Sequence, residues 1–364
     1  MLDSIFKDKN LYYIGGIVRD EILGISGFDI DLTYQGNAIE KFGRLEECIK
    51  INKDFGTVRL LINGKEIDIA STRDETYEKK GHLPVVSDIG CSLKKDVLRR
   101  DFTVNTLAKS TLTGEIIDYT GGLNDIKSKL LKVLHKDSFI DDPTRIVRGL
   151  KFAVRFGFEL DDYTRKLQDD YLNNINYDLS FKRLKKELME TFNLNKQECF
   201  DRFVSQKIYK LIGKTVVNPP KFDIESLLAK YPVNNIWIVY TGWHPDIENL
   251  PLTKEEKKVI DDYRKLISLD IKDDSYSIYK SFFDKQKESI LLYTIVTGSL
   301  LGLKFFELKD IKISLTGEDL ISLGIKPSNK FSECFEYILK QKLKTPTLTK
   351  SDEINIAKQF LGID

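Results

Sequence analysis

The chain has 364 residues, more than a single hydrophobic core usually serves, so at least two domains are expected. Its 57 Lys and Arg against 56 Asp and Glu leave a net charge of +1, which excludes a uniformly basic nucleic-acid coat or an acidic tail but leaves room for a local basic groove. A hydrophobic content of 41%, with 21 Phe and 16 Tyr, excludes disorder. Cys48, Cys91, Cys199 and Cys334 are widely spaced and form no C-x-x-C pair. His82, His135 and His244 form no H-x-x-x-H. A zinc ribbon, a redox pair and zincin chemistry are therefore not expected. The segment MLDSIFKDKN is polar and reads as no signal peptide.

In chain order, Leu11–Ile14 reads as a short strand entering Gly15-Gly16. A helix follows over Val18–Leu23, closed by Gly24. Phe28–Thr33 alternates and reads as a strand. Thr57–Ile62 and Glu66–Ser71 flank Asn63-Gly64, a strong hairpin signal, and a second hairpin is expected around Thr113-Gly114. From about Lys127 the periodicity is helical almost to the end, with breaks at Asn218-Pro219-Pro220, Trp243-His244-Pro245 and Lys326-Pro327. The apolar run Ile290–Leu303 is too short for a membrane span and reads as a buried helix. The resulting fold class is α+β, a mixed-sheet head followed by helical modules.

Asp29 and Asp31 sit two apart on a predicted strand. Their carboxylates share one face, about 6–7 Å apart at the backbone. Such a pair can converge on divalent ions in a two-metal phosphoryl-transfer site, and Mg2+ suits it because it takes a few carboxylates and leaves positions for phosphate and water. Phe28, Ile30 and Leu32 face the core. Gly15-Gly16 lies at a strand-to-helix junction where bare backbone N–H groups can approach a triphosphate. Asp68 is the candidate third carboxylate, with Glu66 on the same face; either could equally face solvent.

Four segments in order, GGIVRD with DID, RRDFTVNTLA, DDPTRIVRGLKFAVRFGF and LSFKRLKKEL, resemble the class II tRNA nucleotidyltransferase (CCA-adding enzyme) and bacterial poly(A) polymerase family. The resemblance spans roughly residues 11–190, with a weaker echo at LTGEDLISLGIKP. It implies a nucleotidyltransferase (DNA polymerase β-like) head at 1–137, a helical neck with a base-reading helix at 138–200, a helical body at 201–310 and a tRNA-binding tail at 311–364. The implied activity is template-independent transfer of CMP or AMP from CTP or ATP to the tRNA 3′-hydroxyl, with Mg2+ as cofactor, in the cytoplasm and away from any membrane. By the same resemblance Asp29 and Asp31 are the metal-binding catalytic acids. Gly15, Gly16, Arg19, Arg99, Arg100, Asp101 and Asn105 meet triphosphate and ribose, Asp101 accepting from a 2′-hydroxyl.

Asp142 and Arg145 correspond to the base-reading pair and, three apart, are expected on one helix surface near Pro143. A carboxylate accepts from an exocyclic amine and a guanidinium donates to a ring nitrogen. Together they admit cytosine and adenine and reject uracil and guanine, whose polarity is reversed. Asp141 stands where the family has Glu. Arg145, Arg148, Lys151 and Arg155 fall within an arc of about 120° that could meet phosphate, opposite Ile146, Val147, Leu150, Ala153 and Val154. Ser180 is a candidate helix cap, and Arg183 and Glu187 read as helix-packing residues.

The stretch STRDETYEKKGHLPVVSD resembles the flexible loop of enzymes that add the terminal A, with Arg73, Glu75, Tyr77, Gly81 and Pro84 in order. It favours a CCA-adding or an A-adding enzyme over a CC-adding one. Asp118–Gly122 resembles the hinge between head and neck. A poly(A) polymerase and a non-catalytic RNA-binding protein on the same scaffold are the alternatives. The presence of Asp29, Asp31 and Asp101 opposes the second.

Overall fold

The structure, a computed structural model, describes residues 6–26, 30–326 and 328–363. The chain falls into two compact units, Met1–Thr215 with Asn249–Pro251, and Val216–Glu248 with Leu252–Asp364.

The first unit begins with β1 (Leu11–Ile14), α1 (Gly16–Ile22), β2 (Ile30–Tyr34), α2 (Ala38–Phe42), β3 (Cys48–Asn52), β4 (Thr57–Ile62) and β5 (Lys65–Ser71). With β8 (Ala108–Ser110) and β9 (Ile116–Ile117) these strands form one mixed sheet in the order β3-β4-β5-β2-β1-β8-β9, in which β2 and β5 run parallel. Alternation sets the two faces. Leu32, Val58, Leu60, Ile67 and Ile69 pack with Ala38 and Phe42 of α2, while Asp31, Arg59 and Asp68 lie on the other face. Ile30 packs against that core as expected; Phe28 and Asp29 lie outside the described residues. Both expected hairpins form. Asn63 and Gly64 carry positive φ of 51° and 75°, the left-handed pair that a two-residue turn requires.

The segment with the terminal-A loop signature is a two-stranded ribbon of β6 (Arg73–Thr76) and β7 (Val85–Ile89). Then come α3 (Leu93–Leu98), a 3-10 turn at Thr103–Asn105, α4 (Gly122–Ser128), β10 (Leu130–Leu131) and α5 (Ser138–Asp141). The long α6 (Thr144–Phe156) follows, then β11 (Glu159–Leu160), α7 (Asp162–Asn173), α8 (Phe181–Phe192) and α9 (Gln197–Ser205). The parallel pairing of β10 with β11 interrupts the helical stretch that the sequence suggests.

A single helix over Asp142 and Arg145 does not form. Asp142 is extended (φ −145°, ψ 91°) between α5 and α6. Pro143 is the cause, because its ring disfavours the helical region for the residue before it, while its own φ of −60° suits a helix start. Ser180 stands at the cap position of α8, but its side chain makes no capping bond.

The second unit is helical: α10 (Ile224–Lys230), α11 (Ile236–Thr241), α12 (Lys254–Ile267), α13 (Ser275–Phe282), α14 (Lys287–Thr297), α15 (Leu301–Leu308), α16 (Gly317–Ser322), α17 (Asn329–Lys344) and α18 (Lys350–Leu361). Within the apolar run, α14 buries Ser289 through Ile295 and stops at Gly298, whose φ is 69°. Leu315, Leu320, Cys334, Ile338 and Ala357 form a separate cluster under the last helices. Among the described residues no helix is long and apolar enough to cross a membrane.

Candidate active site

A cleft of about 810 Å³ opens over the polar face of the sheet in the first unit. Its lining includes Gly15, Gly16, Arg19, Asp31, Asp68, Arg99, Arg100, Asp101, Asn105, Asp142, Arg145 and Arg148. Twelve of the expected site residues therefore meet in one place. Arg155 is not among the lining residues; it lies 3.9 Å from Asp20 and over the Phe156 ring.

The acids come together through sheet register. Asp31 of β2 and Asp68 of β5 are paired residues of parallel neighbours, so both carboxylates rise from the same face one strand spacing apart, about 4.8 Å. Hard oxygen donors in this arrangement fit a divalent cation such as Mg2+. Arg59, opposite Asp68 on β4, donates from Nε to Oδ1 at 2.6 Å and from Nη2 to Oδ2 at 2.8 Å, and from Nη1 to Glu66 at 2.8 Å. Arg59 is not evident from the sequence because a strand arginine alternating with apolar Val58 and Leu60 reads as the solvated face of a half-buried strand.

On the other side of the acids, Gly15 has φ 70°. That positive φ favours glycine, and a Cβ there would crowd Arg100 Nη1 at 3.0 Å and the Asn105 carbonyl oxygen at 3.3 Å. The Gly15 N–H is taken by the Leu107 carbonyl at 2.9 Å. Arg19 is buried between the Phe152 and Phe156 rings, with Asp20 on Nε and Nη2 and with Asn105 Oδ1 accepting from Nη1. Arg100 donates to Asp96 at 3.1 Å, and its buried Nε finds no partner among the described residues.

Asp96 is the main acid the sequence reading missed. It is fully buried and accepts from both Arg99 and Arg100. Burial alone would raise its carboxyl, but the charges of Arg100 and Arg99 hold it below the ordinary carboxylate range. The i,i+3 and i,i+4 spacings to the two arginines were the available signal. Arg99 also donates to Glu75 at 2.9 Å, so the ribbon's first strand is tied to the cleft wall.

Asp101 is buried with both oxygens engaged. Oδ1 accepts from the Phe102 N–H at 2.8 Å and from Asn105 Nδ2 at 2.9 Å, while Oδ2 accepts from Arg148 at 2.7 Å and 2.8 Å. Burial pushes its carboxyl up, and the Arg148 charge with the Asn105 hydrogen bond overrides this, holding it far below the usual range. A ribose hydroxyl would therefore share Asp101 with donors already in place.

Asp142 and Arg145, the pair expected to read the base, are held by other residues rather than by each other. Asp142 Oδ1 accepts from the Thr144 N–H at 3.1 Å and its hydroxyl at 2.6 Å, and Oδ2 accepts from Arg183 Nη2 at 2.5 Å. Arg145 donates to Ser138 Oγ at 2.7 Å, to the Arg99 carbonyl at 2.9 Å and to the Tyr77 hydroxyl at 3.3 Å. Arg183 also donates to the His82 carbonyl at 3.1 Å, and the Gly81 N–H donates to the Asp141 carbonyl at 3.0 Å. Asp141 accepts from Lys80 as well. The tip of the β6–β7 ribbon thus rests on Arg183, which also holds Asp142, and on the neighbouring Asp141. Arg183 and Glu187, expected only to pack helices, both line the cleft.

Part of the basic face of α6, at Arg148 and Lys151, is met by acids of α8. Glu187 accepts from Arg148 at 3.3 Å and from Lys151 at 3.0 Å, and Glu190 accepts from Lys151 at 2.5 Å. Lys151 is buried and lies outside the cleft lining.

Comparison with known proteins agrees with this geometry. Residues 11–132 match the poly A polymerase head domain family. An A-adding tRNA nucleotidyltransferase of Halalkalibacterium halodurans is 26% identical over 97% of this chain and 89% of its own length. The A-adding tRNA nucleotidyltransferase of Geobacter sulfurreducens is 30% identical over 95% of this chain, which spans 44% of that relative. That of Aquifex aeolicus is 43% identical over 44% of this chain, which spans 20% of that relative. A solved CCA-adding enzyme in an apo form superposes with a TM-score of 0.80 at 26% identity, over 99% of this chain and 95% of the other. A Thermotoga maritima CCA-adding enzyme complexed with tRNA shares the fold, with a TM-score of 0.76 at 24% identity over 99% and 95% of the two chains. Nucleotidyltransferases of this kind use divalent metal. With this sheet and this cleft, residues 11–132 carry the poly A polymerase head domain, and the chain as a whole is similar in sequence and fold to the class II tRNA nucleotidyltransferases (CCA-adding enzymes).

Proposed function

We propose that the protein transfers AMP, or CMP and then AMP, from ATP and CTP to the 3′-hydroxyl of tRNA without a template. One observation carries this reading: the paired acids of β2 and β5, the Gly15–Arg100–Asp101 wall and the externally braced Asp142 and Arg145 share one cleft.

In this reading Asp31 and Asp68, with Asp29, hold Mg2+. When bound, Mg2+ would acidify the attacking hydroxyl and neutralise charge on the transferring phosphoryl group. Arg100, whose buried Nε has no partner among the described residues, and Arg19 bind the triphosphate on the β1 side. Asn105 and Asp101 orient Arg19 and Arg148 respectively. Asp142 accepts from the exocyclic amine of adenine or cytosine and Arg145 donates to the adjoining ring nitrogen. The bracing by Thr144, Arg183, Ser138 and the Arg99 carbonyl presets both before the base arrives. A uracil or guanine would leave buried polar groups unpaired, at about 1–3 kcal/mol each. Arg155 binds nucleotide or RNA only from outside the cleft lining. We further propose the division into head (1–137), neck (138–200), body (201–310) and tRNA-binding tail (311–364), and action in the cytoplasm.

A-addition alone is favoured by the names of three relatives, from H. halodurans, A. aeolicus and G. sulfurreducens, all A-adding. The test supplies CTP or ATP with tRNA ending at the discriminator base, with tRNA ending in C-C and with an unrelated RNA. Extension of tRNA-C-C with ATP only would define an A-adding enzyme; addition of C, C and A would define a CCA-adding one. Long A tails on unrelated RNA would overturn both. Asp31→Ala should abolish incorporation while tRNA binding persists, and normal turnover in that variant would refute the metal assignment.

A further inference from the structure

We propose that Lys50 and Arg59 form a subsite for backbone phosphates at the RNA 3′ end, on the side of the acids away from the nucleotide. The inference rests on the function proposed above and assigns that function's second substrate a place. Strand register creates the subsite. Asp31 pairs with Asp68, Asp68 with Arg59 and Arg59 with Lys50, so one row of side chains crosses β2, β5, β4 and β3. All four line the cleft. The row covers three strand spacings, about 14 Å, and runs acid, acid, cation, cation.

Direction follows from the chemistry. In phosphoryl transfer the attacking and leaving oxygens lie roughly in line through phosphorus. Gly15, Arg19, Arg100 and Asn105 gather at β1, the neighbour of β2 opposite to β5. With the triphosphate and its leaving pyrophosphate there, the attacking 3′-hydroxyl arrives across β5, and the strand behind it lies over β4 and β3. A nucleic-acid backbone at that place meets Arg59 and Lys50.

The two cations suit the task differently. Lys50 is exposed, and no carboxylate lies within 4.0 Å of its Nζ among the described residues. Among the described residues its charge has no carboxylate partner. The Arg59 fork spans both oxygens of Asp68 and one of Glu66, with the three side chains 38%, 49% and 57% exposed. Such exposed pairs are weak and exchange readily. A phosphate offers the same bidentate geometry as the carboxylate, so Arg59 can move to RNA as Asp68 turns to its own ligand. Contacts of this kind read the backbone and not the bases.

The test uses the full-length chain with Lys50→Gln, Arg59→Gln and the double variant. Equilibrium tRNA binding is measured from 50 to 200 mM salt, with KM for tRNA and for ATP alongside. Each single change should raise the tRNA Kd and KM about five- to ten-fold and flatten the slope of log K against log salt by about 0.7–1. KM for ATP should stay within about two-fold, because neither residue faces the nucleotide. The loss should be the same for tRNAs with different acceptor-stem sequences. Wild-type tRNA affinity and salt slope in both single variants would overturn the subsite, as would a raised KM for ATP with unchanged tRNA binding. If the wild-type protein itself fails to extend tRNA, the proposed function falls and the subsite with it. If the wild type extends tRNA while the variants bind it normally, the subsite alone falls.

Discussion

Asp101 concentrates the residue-scale argument. Its carboxylate is buried, yet it is charged, because Arg148, Asn105 and the Phe102 N–H together outweigh the cost of burial. Asp101→Asn keeps the shape and removes the charge. One of its ends must then face Arg148 or Asn105 donor to donor. Breaking a buried pair by removing one partner costs about 3–5 kcal/mol, and an isosteric amide should fall near the lower end. Loss of the Arg148 anchor should lower kcat/KM for ATP by at least about ten-fold, equivalent to about 1.4 kcal/mol. The pH dependence has a definite sign. The folded carboxyl titrates below its unfolded value of about 3.9, so its stabilisation is present above that pH and is lost as pH falls through the depressed folded value. Urea unfolding between pH 5 and 3 should show the wild type weakening on acidification and the Asn variant weakening less. Equal slopes would show that the Asp101 charge is not what the fold depends on.

At the scale of elements, the turn between β9 and α4 is held by one side chain. Asp118 Oδ1 accepts from the N–H groups of Thr120, Gly121 and Gly122, and Oδ2 from that of Leu123. Gly122 packs against backbone: a Cβ there would meet the Thr103 carbonyl oxygen at 2.4 Å. Thr103 opens the turn that carries Asn105, so Gly122→Ala must push the cleft wall. Overpacking of this kind costs about 1–3 kcal/mol, which a drop in the thermal unfolding midpoint would register; an unchanged midpoint with unchanged addition of A would refute the tight contact and the hinge together. Elements of this kind were legible in the sequence where the signal is local. Asn63-Gly64 and Thr113-Gly114 marked both hairpins, and Pro143 marked a helix start. The same proline also breaks the helix at Asp142, an effect on the preceding residue that a face-by-face reading of α6 overlooks. What the sequence left hidden is non-local. Asp68 pairs with Asp31 across a parallel register that links positions 37 apart, and no window along the chain displays that. Asp96 sat unseen among the charges of LKKDVLRRD, since only burial distinguishes it from a solvated acid. The pairing of β10 with β11 involves two residues on each side, too few for any periodicity to form.

For the whole molecule, a net charge of +1 averages over two units whose acid responses have different origins. The first unit keeps carboxylates charged in its interior, as at Asp96 and Asp101, and loses that stabilisation as pH falls into the acid range. The second contains His244, 1% exposed, whose Nδ1 accepts from the Asp246 N–H at 3.1 Å. Burial pushes its imidazole down to about 4, against the opposing pull of the Asp246 charge. The unfolded chain takes up this proton near pH 6.5 and the folded one resists until about 4, so folding is weakened progressively as pH falls through that window. His244→Asn retains a side-chain acceptor for the Asp246 N–H and removes the titration. Circular dichroism melts from pH 7 to 4 should show the wild-type midpoint falling from about pH 6.5 downward and a flatter profile for the variant in the same range. A wild-type midpoint constant over that range would mean that the His244 site admits the proton in the folded state, and that the acid sensitivity of the second unit lies elsewhere.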